Sequence, residues 1–368
     1  MMQAISPLDP RILRHGRTLE RRPLPLFWAA SGVELETCAR SLTFVLRADF
    51  STREPWVRVE VDGATVLRQP LERGRNRVTV WRDMPAGSWH RVQLFKETQP
   101  MARDPRSLLT LDTILCEGTL RAVPLRPYKI EVIGDSISSG EGLAGGSGLH
   151  GALSMVFSTQ GLYAVRTARD LNADLRILSQ NGWGLCTGWD NDRTKAMPLY
   201  YDAVCGLLPD AGTEALGARE PQDFSSWQPD IVVVHLGNND ASALRSAPWK
   251  DGFALRAGPD GLPDAPSAAC FTAAGTTFLQ HLHQCVPRAR LVWCYGTSTR
   301  VMEPCIREAI RQYGQLTGDT ALYVPLPAVP PSQRAADDHP GPAAHTAMAR
   351  TLTEALRPLL PTVPREVT

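Results

Sequence analysis

The chain of 368 residues contains no apolar run long enough to span a bilayer, which takes about twenty consecutive apolar residues. It has no C-x-x-C pair and no metal-ligand spacing, so its eight cysteines are expected to be reduced structural thiols and no metal is implied. Cys186 and Cys205 flank a Trp-containing segment, and a disulfide between them stays open. Lysine occurs only at positions 96, 129, 195 and 250, and the formal net charge is +1. So nearly neutral a chain gives no electrostatic case for a nucleic acid or an anionic membrane as partner. The first ten residues lack a basic stretch followed by an apolar one, and the expectation is a cytoplasmic protein, although a removed signal peptide leaves the same reading. Internal repeats and low-complexity segments are absent. The length favours two domains.

What is present falls into two rhythms. From about residue 17 to 118, short alternating runs such as Val57-Arg58-Val59-Glu60-Val61 and Arg91-Val92-Gln93-Leu94-Phe95 are broken by turns such as Asp62-Gly63. Period two with such turns predicts antiparallel strands and a β-sandwich, expected as a jelly roll. Pro124-Leu125-Arg126-Pro127 ends the pattern, which puts the domains at 1–122 and 123–368. Beyond it, apolar strands at 129–133, 175–179, 230–236, 289–295 and 321–325 alternate with helical patterns near 160–172, 270–285, 303–316 and 343–358. That alternation predicts a parallel sheet covered on both faces, with ligands at the carboxyl ends of its strands.

Three segments at those ends carry chemistry. In Val132-Ile133-Gly134-Asp135-Ser136 a strand runs into a small-residue turn, where a nucleophilic serine can be presented beside a base and backbone N–H groups. The bland reading of Gly-Asp-Ser is an ordinary turn. The apolar strand at 230–236 ends in Gly237-Asn238-Asn239-Asp240, which projects an amide donor, though asparagine at a strand end more often makes a turn or a cap. Asp337-Asp338-His339-Pro340 follows the last strand and offers a general base.

Taken with Gly184 in Asn181-Gly182-Trp183-Gly184, these residues resemble the four blocks of the SGNH (GDSL-like) hydrolases, matched by Ser136, Gly184, Asn239 and His339. The segments Ser31-Gly32-Val33-Glu34-Leu35, Val59-Glu60-Val61-Asp62-Gly63 and His90 to Glu97 resemble the small β domain that precedes the hydrolase domain in carbohydrate esterase family 2. The resemblance implies an α/β protein: a flavodoxin-like three-layer α/β/α SGNH domain preceded by an antiparallel jelly-roll sandwich. It implies Ser136 as nucleophile, His339 as base, and Ser136, Gly184 and Asn239 as oxyanion donors. The broad SGNH pattern has an aspartate three residues before the histidine, where this chain has Ala336. Asp337, two residues before, matches the family 2 arrangement, in which either this carboxylate or a main-chain carbonyl orients the histidine. Asp135 is read as structural and Asp338 as solvent-facing, and His235, His281, His283 and His345 as structural. Trp183, Trp189 and Trp249 are read either as core or as sugar platforms, and residues 241–269 as a rim or lid.

The expected function is a serine esterase that removes a small acyl group, acetyl first, from a carbohydrate without any cofactor. A lipase or thioesterase acting on longer chains, and a glycan-binding protein without turnover, stand as alternatives. Acylated carbohydrate is the expected partner, and the oligomeric state is not legible.

Overall fold

The computed structural model describes residues 1–85, 87–151, 153–208 and 210–362. The protein is a mixed α/β chain with several sheets. It packs as two compact units, one of Met1–Leu125, Ala152–Gln160 and Asp202–Pro221, the other of Arg126–Gly151, Gly161–Tyr201 and Gln222–Thr368. Two segments of the first unit thus lie beyond residue 123.

In the first unit, strands Leu42–Asp49, Gly74–Trp81 and Leu108–Cys116 belong to one antiparallel sheet, and Gly32–Thr37, Trp56–Val61, Ala64–Pro70 and His90–Lys96 to another. Along His90–Lys96 the residues Val92 and Leu94 are buried while Arg91 and Gln93 are only half-buried, which is the alternation read from the sequence. Asp62 and Gly63 both take positive φ, 51° and 83°, as a tight two-residue hairpin requires. Leu35, Val57, Val59, Val92 and Leu94 of one sheet and Phe44, Leu46, Val78, Leu111 and Ile114 of the other join a single apolar core.

Buried polar groups tie the later segments to this unit. The Glu97 carboxylate accepts from Arg58 Nε at 3.0 Å, Arg68 Nε at 3.1 Å, Ser158 Oγ at 2.7 Å and the Thr159 N–H at 3.1 Å. Burial raises its pKa, but the Arg58 charge and these hydrogen bonds outweigh that and hold it below the usual value. Trp28 Nε1 donates to the Val204 carbonyl at 2.7 Å. Lys96 is buried with Nζ 2.6 Å from the Phe27 carbonyl oxygen, and burial brings its pKa down to about 8.

The second unit is built on five parallel strands, β1 (Tyr128–Gly134), β2 (Ala173–Ser179), β3 (Ile231–His235), β4 (Arg290–Tyr295) and β5 (Ala321–Pro325), in the spatial order β2-β1-β3-β4-β5. Every residue of β3 is buried, as expected of a parallel strand covered on both sides. Short helices α1 (Ser136–Ser139) and α3 (Asn238–Ala243) leave the ends of β1 and β3. The longer helices are α2 (Tyr163–Asp170), α4 (Ala265–Cys285), α5 (Glu303–Thr317) and α6 (Pro342–Leu356), with α2 packed on α6 and α4 on α5. Strand order reverses at β1, so the crevice at a topological switch point opens between the ends of β1 and β3. Their register sets Gly134 beside His235, which brings α1 and α3 out side by side. Among the described residues no helix is long and apolar enough to cross a membrane.

Candidate active site

Ser136 is the first residue of α1 and lies almost buried at the mouth of that crevice. The turn is fixed from both sides. Asp135 caps α1, its Oδ1 accepting the Ile137 N–H at 3.0 Å. A Cβ on Gly134 would stand 2.1 Å from Ser138 Oγ, so only glycine fits there. Asn238 Nδ2 donates to the other Asp135 oxygen at 2.9 Å. Asp135 is therefore a structural group, and burial pushes its pKa up to about 6.

His339 reaches this serine from the loop after β5. Its Nε2 is 2.8 Å from Ser136 Oγ, and its Nδ1 is 2.8 Å from the main-chain oxygen of Asp337. A carbonyl oxygen can only accept, so Nδ1 carries the proton and Nε2 presents its lone pair to the serine hydroxyl. The tautomer required of a general base follows from this contact alone. Asp337 and Asp338 take positive φ, 53° and 56°, which turns the Asp337 carbonyl toward the ring. The Asp337 carboxylate points elsewhere and accepts the Gly151 N–H at 2.7 Å. Burial lowers the His339 pKa below its ordinary value, against the Asp337 hydrogen bond that raises it.

Asn239 lines the same cavity and donates one amide proton to the Trp183 carbonyl at 2.8 Å, which leaves its second. The Gly184 N–H, expected to face the serine, instead donates to the Lys195 carbonyl at 3.1 Å, and that assignment is corrected. Gly182, two residues earlier and at φ 78°, makes no such hydrogen bond through its N–H among the described residues. The two glycines flank Trp183, and spacing alone does not separate them. Gly184 is there for room: a Cβ would meet the Asp240 carboxylate at 2.3 Å. Buried Asp240 accepts the Leu185 and Cys186 N–H groups, each at 2.8 Å, and burial pushes its pKa up to about 6.

The cavity holds about 430 Å³ and is lined by Ser136, Asn238, Asn239, Arg245, Thr299 and His339, among others. Arg245 and Gly261 come from the loop between α3 and α4, so part of the segment 241–269 does form its rim, although α4 begins at Ala265, inside that segment. Asn191 pins this loop by donating to the Ala243 carbonyl at 3.0 Å and accepting the Leu255 N–H at 2.9 Å. None of the three tryptophans lines the cavity. Trp183 is buried against Tyr200, with ring centroids 4.9 Å apart; Trp189 is exposed, and Trp249 lies beneath Lys195 and Lys250. His235 and His345 are buried around Tyr163, with burial lowering their pKa values to about 4 and about 3. Cys186 and Cys205 are free thiols.

No family model matches the chain. A solved acetyl xylan esterase from the rumen bacterium Butyrivibrio proteoclasticus is 34% identical, with a TM-score of 0.94 over 97% of this chain and 98% of that one. The chain belongs to the carbohydrate esterases of family two. This esterase is also 25% identical over 365 residues to the acetylxylan esterase / glucomannan deacetylase of Cellvibrio japonicus, covering 97% of this chain and 91% of that protein. A family two carbohydrate esterase from Clostridium thermocellum, solved with cellohexaose, shares the fold at 23% identity and a TM-score of 0.76, covering 94% of this chain and 98% of that one. This esterase is accordingly a carboxylic ester hydrolase, and its family acts on carbohydrate esters.

Proposed function

We propose that this esterase removes acetyl groups from an acetylated carbohydrate through an acyl-enzyme on Ser136. The fold that carries it is read as a flavodoxin-like SGNH catalytic domain, 123–368, preceded by a jelly-roll domain, 1–122. The observation that carries the reading is the relay Ser136 Oγ, His339 Nε2, His339 Nδ1, Asp337 main-chain oxygen, with both links at 2.8 Å. It supports a Ser-His dyad in which a carbonyl, not a carboxylate, orients the ring.

In this mechanism Ser136 Oγ attacks the acetyl carbonyl carbon while its proton passes to His339 Nε2. The negative oxygen of the tetrahedral intermediate is held by the N–H groups of Ser136 and Gly182 and by the remaining Asn239 amide proton. Collapse expels the sugar hydroxyl, which takes the proton from His339. Water then attacks the acetyl-serine by the same route and acetate leaves. The half-polar cavity with Arg245 and Thr299 at its wall suits a sugar ring better than an alkyl chain. The substrates in the relatives' names, acetyl xylan and glucomannan, support the same choice.

Hydrolysis of aryl acetate, butyrate and octanoate esters, followed by acetate release from acetylated xylan and glucomannan oligosaccharides, tests the reading. Acetate esters should be strongly preferred, and Ser136→Ala should lower kcat by roughly 10⁶-fold in a folded protein. A preference rising toward octanoate would move the assignment to a lipase or thioesterase. Glycan binding with no ester hydrolysis would leave a binding protein.

A further inference from the structure

The relay described above ends on an uncharged carbonyl, so it orients the imidazole of His339 without supplying a full countercharge to the imidazolium formed when Ser136 gives up its proton. A buried carboxylate does lie beside that ring. Glu141, in the turn that follows α1, is 1% exposed and places Oε2 at 3.6 Å from His339 Nε2. Its other oxygen accepts from Asn181 Nδ2 at 2.6 Å, just beyond the end of β2, so the side chain is held in place from a second element. The two segments are closely packed: a Cβ on the neighbouring Gly142 would stand 2.8 Å from His339 Cβ.

We propose that Glu141 is the charged positioning residue of this active site, stabilising the His339 imidazolium from the serine side in place of the aspartate that a triad would put on the far side. The proposal rests on the Ser136–His339 reading. Other groups around the ring are less suited. The Asp337 carboxylate is turned to the Gly151 N–H and stands near His150, and Asp338 is exposed. Asp135 is committed to Ile137 and Asn238. His345, on α6, is deeply buried and neutral at working pH. A carboxylate so close to an imidazole favours its protonated form, and because Glu141 is itself buried the interaction is weakly screened and lowers the barrier to proton transfer out of the serine.

The test is Glu141→Gln, which keeps the shape and an acceptor for Asn181 but removes the charge. His339 is titrated by NMR in the full chain, its resonance assigned with a His339→Ala variant, and kcat and KM are measured on an aryl acetate across pH. In E141Q the proton affinity of the imidazole should fall about tenfold or more. The kcat should fall about 10- to 100-fold with KM within about twofold, and the acid limb should move to lower pH by the same amount as the NMR midpoint. Glu141→Asp retains the charge one methylene further back and should give an intermediate imidazole affinity, which carries the test if E141Q is unstable. An unmoved His339 titration in the folded variants overturns the proposal, even where kcat falls, because the role is then only structural. If the wild type hydrolyses no ester, the assigned function fails, while the imidazole titration still decides the question for Glu141.

Discussion

Nδ1 of His339 lies 2.8 Å from the main-chain oxygen of Asp337, while the Asp337 carboxylate accepts the Gly151 N–H at 2.7 Å. One residue thus serves the histidine through its backbone and the adjoining loop through its side chain. The part that matters to the ring does not depend on the charge of the side chain.

Asp337→Asn should therefore keep kcat within about fivefold of wild type. Where an aspartate carboxylate orients the histidine, the same change costs about 10⁴-fold. Asparagine also tolerates the positive φ at this position, which makes it the informative substitution. A loss of three or more decades on an aryl acetate would place the carboxylate back in the relay.

The neighbouring asparagines should separate cleanly. Asn239→Ala removes an oxyanion donor and should lower kcat by about 10² to 10³-fold with a small change in KM. Asn238→Ala removes the partner of the Asp135 carboxylate beneath α1, so its first effect should be a lower Tm. If Asn238→Ala is the more damaging to kcat while both variants stay folded, the oxyanion assignment is wrong.

Activity should persist into mildly acidic solution. Only neutral His339 accepts the serine proton, so kcat/KM falls as pH drops through its pKa, which burial lowers from the ordinary value of 6.5. Asp135 and Asp240, pushed up to about 6 by burial, lose charge in an overlapping window and should steepen the limb beyond one proton. A pH–rate profile with a one-proton acid limb centred at or above 6.5 would contradict this account.

In the first unit, Lys96→Met should raise Tm at neutral pH. The folded pKa of about 8 lies below the ordinary 10.5, so at pH 7 protonation of the buried amine costs roughly 3 kcal/mol. Wild-type stability should climb as pH rises from 8 toward 10.5, because the unfolded chain then binds the extra proton. The advantage of the variant should shrink over the same range, and thermal melts at pH 7 and pH 10 check it. An equal shift at both pH values would mean that packing, not charge, is responsible.

The elements that position the site were legible because each carries a local signal. β3 reads as Ile231-Val232-Val233-Val234 and is buried throughout, and Ser136, Asn239 and His339 each follow a strand end. What escaped depends on distant partners. α4 starts at Ala265 and not near 270, because Asp264 caps the Ser267 N–H and Pro266 sits in its first turn, a start signal hidden in a Gly- and Pro-rich stretch. Trp183 and Trp189 gave no hint of which way they turn. Glu141 sits among small residues in no periodic pattern, and only the approach of a loop two hundred residues later gives it meaning.

The Glu97 cluster bears on how this protein can be taken apart. Its ligands Ser158 and Thr159, and the Val204 carbonyl that receives Trp28, lie far downstream of Leu125 in the chain. A fragment stopped at Leu125 would keep the Arg58 and Arg68 partners of Glu97 but lose its Ser158 and Thr159 donors and the acceptor of the Trp28 indole, buried groups whose loss costs about 1–3 kcal/mol each. The amino-terminal β unit is thus not a cassette that gene fusion or limited truncation can lift out, and its folding must await chain that emerges from the ribosome after the nucleophile.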